Sequence, residues 1–174
     1  MNSALLRLAA ALFIWGLGEG TFFFFQPLYL EELGADPFQI GKILGGVGIA
    51  MTIVHIPAGY LADKIGRRPL LRLSWTIGLL SSIMMASAST LPFFVIALIF
   101  YSLTTFVISP LNSYVTAARG KWTVERAITL ISATFSLGMV SGPMIGGWLG
   151  DHFGLRSLYI AAVVVFTIST ILVY

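Results

Sequence analysis

The chain contains no cysteine, few charges and two histidines far apart in sequence. The missing cysteines exclude disulfides and thiolate metal sites. Two separated histidines make no ligand cluster, so no metal and no cofactor is expected. Only 10% of the 174 residues are charged, against about a quarter in an ordinary soluble domain. That is too little to coat a water-soluble domain, and 57% of the residues are hydrophobic. The apolar side chains must face lipid or one another. The net charge of +3 is no argument for nucleic acid, because the basic residues sit in short clusters between apolar runs.

Six apolar runs are present, over roughly 8–30, 40–61, 70–90, 91–117, 126–149 and 156–174. A helix needs about 20 residues to cross a bilayer core. Only helices and closed barrels satisfy their backbone groups in lipid. These runs are too long and too continuously apolar for barrel strands, which are about ten residues with alternation. The first run follows Arg7 like a signal peptide, yet it continues to Leu30, past any plausible cleavage point, and is expected to be a retained helix. The fold class expected is an all-α membrane protein of six transmembrane helices.

Eight of the ten Lys/Arg lie at one set of helix ends: Arg7, Lys64, Arg67, Arg68, Arg72, Arg119, Lys121 and Arg126. The other ends carry Lys42 and Arg156 beside Glu31, Glu32, Asp36 and Asp151. Positive loops stay inside, which predicts a multi-pass protein of the plasma membrane with a cytoplasmic N-terminus.

Residues 59–70 and 147–158, 88 positions apart, share the pattern G-x-L-x-D-x-x-G-x-R-x-L. Each joins the second and third helix of a three-helix unit. Three is odd, so the two units run oppositely through the membrane. This is the signature of an inverted repeat, an arrangement that places a binding site near the midplane.

The first copy, Gly59-Tyr-Leu-Ala-Asp63-Lys-Ile-Gly66-Arg67-Arg68-Pro-Leu-Leu71, resembles the signature loop of the major facilitator superfamily, at the same place between second and third helices. Gly138-Met-Val-Ser-Gly142-Pro143-Met-Ile-Gly146-Gly147 resembles the fifth-helix motif of that family's antiporters, drug exporters among them. The resemblance covers the whole chain. It implies a twelve-helix transporter of which this chain is the N-terminal six-helix half, with the site between the halves. It also implies that Asp63 helps lock the cytoplasmic side against the second half. By their own chemistry, Gly59 and Gly66 permit close helix approach, and Asp63 can pair with Arg67 one turn on. The plain alternative is that Arg67 and Arg68 only hold the loop inside. Gly138, Gly142, Gly146 and Gly150 recur every four residues as a smooth stripe for tight packing, with Pro143 as a kink. The chain departs from the family in its fourth helix. An arginine is often found there in antiporters, whereas Tyr101 stands near that place.

Glu19 is the one acidic residue deep in a run. Placing a carboxylate at that depth costs at least about 2.5 kcal/mol, so its default reading is functional. It accepts a proton, binds a cationic substrate, or packs among Gly16, Gly18 and Gly20. Gln26 lies seven residues on, near the same helical face. Thr105, Ser109, Asn112 and Thr116 form a polar stripe on the fourth run, lining a cavity or bonding a neighbour. His55 is a packing residue or a proton relay. No nucleophile–base pair is evident, so an enzyme is not expected.

The leading expectation is secondary active transport of a small molecule by alternating access, as a proton-coupled efflux antiporter. Uptake of a metabolite such as a sugar or nucleoside is the second reading. A non-transporting scaffold or receptor is the reading from another class. The partners expected are membrane lipid, a small-molecule substrate, protons, and either a C-terminal six-helix half or a second six-helix chain. The sequence stops at Tyr174, about 19 residues into the sixth helix, which reads as a truncated half.

Overall fold

A computed structural model describes residues 3–174, leaving the surroundings of Ile56, Ala58, Gly59, Ala62 and Asp63 outside the description. Eight α-helices occupy nearly the whole described chain. They are α1 (Ser3–Phe23), α2 (Gln26–Glu32), α3 (Pro37–Ile65), α4 (Arg67–Ser87), α5 (Leu91–Ser102), α6 (Ile108–Ala118), α7 (Val124–Phe153) and α8 (Arg156–Val173). Among the described residues, six helical spans are long and apolar enough to cross a membrane, with α5 and α6 sharing one.

Two spans depart from the unbroken helices expected of them. The first breaks in a turn at Phe24 and Phe25 and restarts as α2, with Pro27 in its opening turn. Proline suits that position because its missing N–H has no helical partner there. The fourth contains a 3-10 segment, Leu103–Val107, between α5 and α6. Pro110 follows directly. It cannot donate to the carbonyl of Phe106, and its ring crowds that turn, which favours tighter winding. The hydroxyls of Ser102, Thr104 and Thr105 each donate to a carbonyl three residues back, at 2.6, 2.7 and 2.8 Å.

The helix starts are chemically specified. Asp36 and Gln39 cap α3 reciprocally. The Gln39 amide donates to Asp36 Oδ1 at 2.8 Å, and the Asp36 amide donates to Gln39 Oε1 at 3.2 Å. Pro37 fills the first helical position. Thr123 caps α7, accepting from the Arg126 amide at 3.3 Å.

α1 is the hub, packing along α7 on one side and α8 on the other. Its glycines divide between those faces. Gly16 and Gly20, one turn apart, meet the α7 backbone, while Gly18 meets Phe166 and Val165 of α8. The α7 stripe answers from its side. A Cβ on Gly138, Gly142 or Gly146 would collide with the backbone of Phe13, Gly20 or Thr21. Lipid supplies no hydrophobic drive between helices, so close backbone contact is what holds this seam. Gly147 and Gly150 lie outside it, at ordinary contact distance from side chains.

α4 closes the other side of the bundle against α8 and α5. The Trp75 indole N–H donates to Ser169 Oγ at 2.9 Å, and the Ser169 hydroxyl donates to the Ala11 carbonyl at 2.7 Å. These three buried groups tie α4, α8 and α1 together. Phe22, Tyr29, Phe94 and Tyr159 form an aromatic cluster with ring centroids 4.8–5.3 Å apart.

The inverted repeat has a structural counterpart in its two loops. Gly66 takes φ 88°, ψ 161° before α4, and Gly154 takes φ 80°, ψ 161° after α7. Both are positive-φ conformations that a side chain disfavours. Equivalent motif glycines therefore make the same sharp connection in both copies.

Candidate functional site

Leu12, Trp15 and Glu19 recur at helical spacing on α1, away from the glycine seam. They face a cavity of about 410 Å³ in the middle of the bundle. The fourth span contributes Tyr101, Thr104, Thr105 and Asn112, and α7 contributes Ser132, Phe135 and Ser136. Met51 of α3 and Trp75 of α4 also line it. The wall is mainly apolar, with polar groups at a few points and one carboxyl, the pattern of a small-molecule site.

Glu19 is half-buried and interacts with the Tyr101 hydroxyl and the Trp15 indole. Among the described residues, the buried Tyr101 hydroxyl has no hydrogen-bond partner of standard geometry, Glu19 included. Glu19 and Trp15 are its polar neighbours. Tyr101 is also held edge-on to Phe22 at 5.4 Å and parallel to Phe166 at 6.0 Å. Trp15 stacks on Phe166 at 4.0 Å. Packing thus fixes both aromatic neighbours of the carboxyl.

Glu19, Thr105 and Asn112 come together in this cavity. The Thr105 hydroxyl is committed to the Ser102 carbonyl, whereas Asn112 is exposed to the cavity. Thr116 bonds within its own helix, to the Asn112 carbonyl at 2.8 Å. Gln26 is buried but lines no part of the cavity. The turn at Phe24 and Phe25 ends the helical phase that placed it on the Glu19 face. His55 is exposed on α3, and its Nδ1 donates to the Met51 carbonyl at 2.6 Å. It also lies outside the cavity lining.

Toward the end of α3, the surroundings of Gly59 and Asp63 lie outside the description. Arg67 donates to the Ser113 carbonyl at 3.2 Å, and Arg68 lies 5.9 Å from the Tyr114 ring centroid. Both tie the start of α4 to α6.

Sequence reasoning passed over Trp15, Ser132 and Ser136. Ser132 and Ser136 are four residues apart and share a face of α7, which was a readable signal. The glycine stripe occupies the neighbouring face of the same helix.

A six-span helical bundle around a polar-centred cavity defines a multi-pass membrane protein of transporter type. The Major Facilitator Superfamily profile matches residues 8–174, and the chain belongs to that family. It is 30% identical over 141 residues to an uncharacterised MFS-type transporter of Methanocaldococcus jannaschii, covering 80% of this chain and 36% of the relative. It is 21% identical over 178 residues to the quinolone resistance protein NorA of Staphylococcus aureus, covering 100% of this chain and 46% of NorA. A multidrug resistance protein B homolog of Mycobacterium tuberculosis is 24% identical over 136 residues, covering 78% of this chain and 25% of the relative. The chain spans less than half the length of each of these relatives. Family membership sets it among transport proteins and not enzymes.

Proposed function

We propose that the chain forms the N-terminal six-helix half of a secondary active transporter that exports a small molecule in exchange for protons. The observation that carries this reading is Glu19, the single carboxyl facing the central cavity among the described residues, with Tyr101 and Trp15 around it. An intramembrane carboxyl on an accessible cavity marks a proton or cation site. The mainly apolar wall suits an amphipathic substrate. Two relatives bear names of drug resistance, which favours efflux over uptake.

In this reading Glu19 alternates between holding a proton and holding a cationic substrate, and Asn112 orients the substrate. Thr105, Gln26 and His55 keep supporting places at most, since one hydroxyl is committed and two side chains lie off the cavity. The seam of Gly138, Gly142 and Gly146, beside Pro143 and Gly147, lets α7 lie tightly on α1 while the two repeats move together. The loop Gly59, Asp63, Gly66, Arg67 and Arg68 gates the cytoplasmic side. The protein sits in the plasma membrane with its N-terminus inside, as the basic helix ends favour.

The cavity is closed by a second six-helix half or a second six-helix chain. Ile49 and Ile53 of α3 and Val140 and Met144 of α7 are between 60% and 81% exposed, an apolar surface suited to lipid or to that partner. The greater length of the relatives favours a second half.

The deciding experiment is transport into inverted vesicles carrying the complete transporter, with a panel of cationic and neutral amphipathic dyes. Accumulation that needs an imposed proton gradient supports the reading. Accumulation indifferent to the gradient removes proton coupling, and counter-flow with sugars or nucleosides alone would favour uptake.

A further inference from the structure

A second pocket, of about 210 Å³, lies where the opening turns of α1 and α4 meet the last turns of α8 and the side of α6. Three arginines line it: Arg7 of α1, and Arg68 and Arg72 of α4. No Asp or Glu side chain lines it among the described residues. Arg68 and Arg72 are four residues apart, so they share one face of α4 and repel each other. Arg7 adds a third like charge from another helix. The unpaired amides at the start of α4 make the place more positive still. The rule that positive residues stay inside accounts for arginines at this end of the bundle. It does not account for three of them converging on one pocket.

The guanidinium groups are also positioned. Arg72 donates to the Tyr174 carbonyl at 3.2 Å and lies 5.1 Å from the Tyr174 ring centroid. Arg68 approaches the Tyr114 ring at 5.9 Å. Both tyrosines line the pocket, and Leu8, Leu71 and Leu172 supply an apolar wall beside the charges.

We infer that this pocket binds the phosphate of an anionic phospholipid in the leaflet at the basic end of the bundle. Planar guanidinium forks match phosphate oxygens bidentately, and basic pockets between membrane helices hold lipid head groups in this way. The leucine wall meets the glycerol and upper acyl carbons. A soluble phosphate compound offers the same anion but leaves that wall in water.

The test uses the complete transporter in a neutral detergent, with thermal unfolding followed by circular dichroism. Short-chain phosphatidylglycerol, phosphatidylcholine and inorganic phosphate are titrated in parallel. Phosphatidylglycerol is expected to raise the unfolding midpoint at concentrations where the other two do nothing. Replacing Arg7→Gln and Arg72→Gln together should raise its half-saturating concentration by roughly fivefold per arginine removed, with helix content unchanged. Equal shifts from phosphatidylglycerol and phosphatidylcholine overturn the inference. Inorganic phosphate acting as well as phosphatidylglycerol also overturns it, in favour of a soluble-phosphate site. An unchanged phosphatidylglycerol response in the folded double variant does the same. If that variant does not fold, the wild-type comparison of the three ligands decides alone.

Discussion

Gly142 of α7 lies against Gly20 of α1 so closely that a Cβ on Gly142 would overlap the Gly20 backbone. Backbone cannot swing aside as a side-chain tip can. Gly142→Ala is therefore expected to destabilise the bundle by about 1–3 kcal/mol, the usual range for overpacking. Gly41 of α3 offers an internal control, because a Cβ there meets nothing within 4 Å. Gly41→Ala should stay within about 0.5 kcal/mol of the parent. Thermal unfolding of both variants in detergent checks the contrast. Equal stability of the two would mean that the α1–α7 seam is looser than its geometry.

The Trp75–Ser169–Ala11 relay joins three helices through one hydroxyl. Ser169→Ala removes the acceptor of a buried indole N–H and a donor to a buried carbonyl. Hydrogen bonds between membrane helices average about 0.6 kcal/mol and reach about 1.7. A loss near the upper value is expected, since Ser169 serves two partners. Trp75→Phe in the Ser169→Ala background should then cost less than Trp75→Phe alone. Strict additivity in that double-mutant cycle would show that the two residues do not act together.

The sequence made the architecture legible because lipid leaves few options. Long apolar runs must be helices, and charge asymmetry orients them. The glycines of α7 were readable as a packing stripe for a similar reason, since only small residues permit such contact. The partner helix was not readable, although Gly16 and Gly20 carry the complementary spacing on α1. Interruptions were the weaker point. Pro27 and Pro110 were visible, but whether a proline bends, breaks or tightens a helix depends on the neighbouring turn. That uncertainty displaced Gln26 from the expected site, because the break at Phe24 and Phe25 resets the helical phase. The place of Glu19 in the bundle interior was legible from its depth alone. Its neighbours Tyr101 and Trp15 were not, because aromatic residues in apolar runs resemble ordinary core until a cavity is seen beside them.

Glu19→Gln keeps the shape of the side chain and removes its ionisable group. In the complete transporter this change is expected to abolish accumulation driven by a proton gradient. Stability should hold or rise, by up to the roughly 2.5 kcal/mol that an intramembrane carboxylate costs. Vesicle transport at two pH values, with thermal unfolding alongside, separates the outcomes. Gradient-driven flux equal to the parent's would remove Glu19 from the coupling step. Lost flux with lost stability would make it a packing residue.

The cysteine-free background permits a direct test of the cavity's access. Asn112 is exposed on the cavity wall, whereas Ala97 of α5 is fully buried. A single cysteine at Asn112 in the complete transporter should react with a membrane-impermeant maleimide. A cysteine at Ala97 should not react until the protein unfolds. Under alternating access, the Asn112→Cys site is reached from one side of the membrane at a time, and a transported substrate changes the rate on each side. Labelling rates from the two sides, measured in oriented vesicles with and without substrate, decide between a moving transporter and a fixed scaffold. A rate that is constant on one side and zero on the other, whatever is added, would fit the fixed scaffold and exclude alternating access through this cavity.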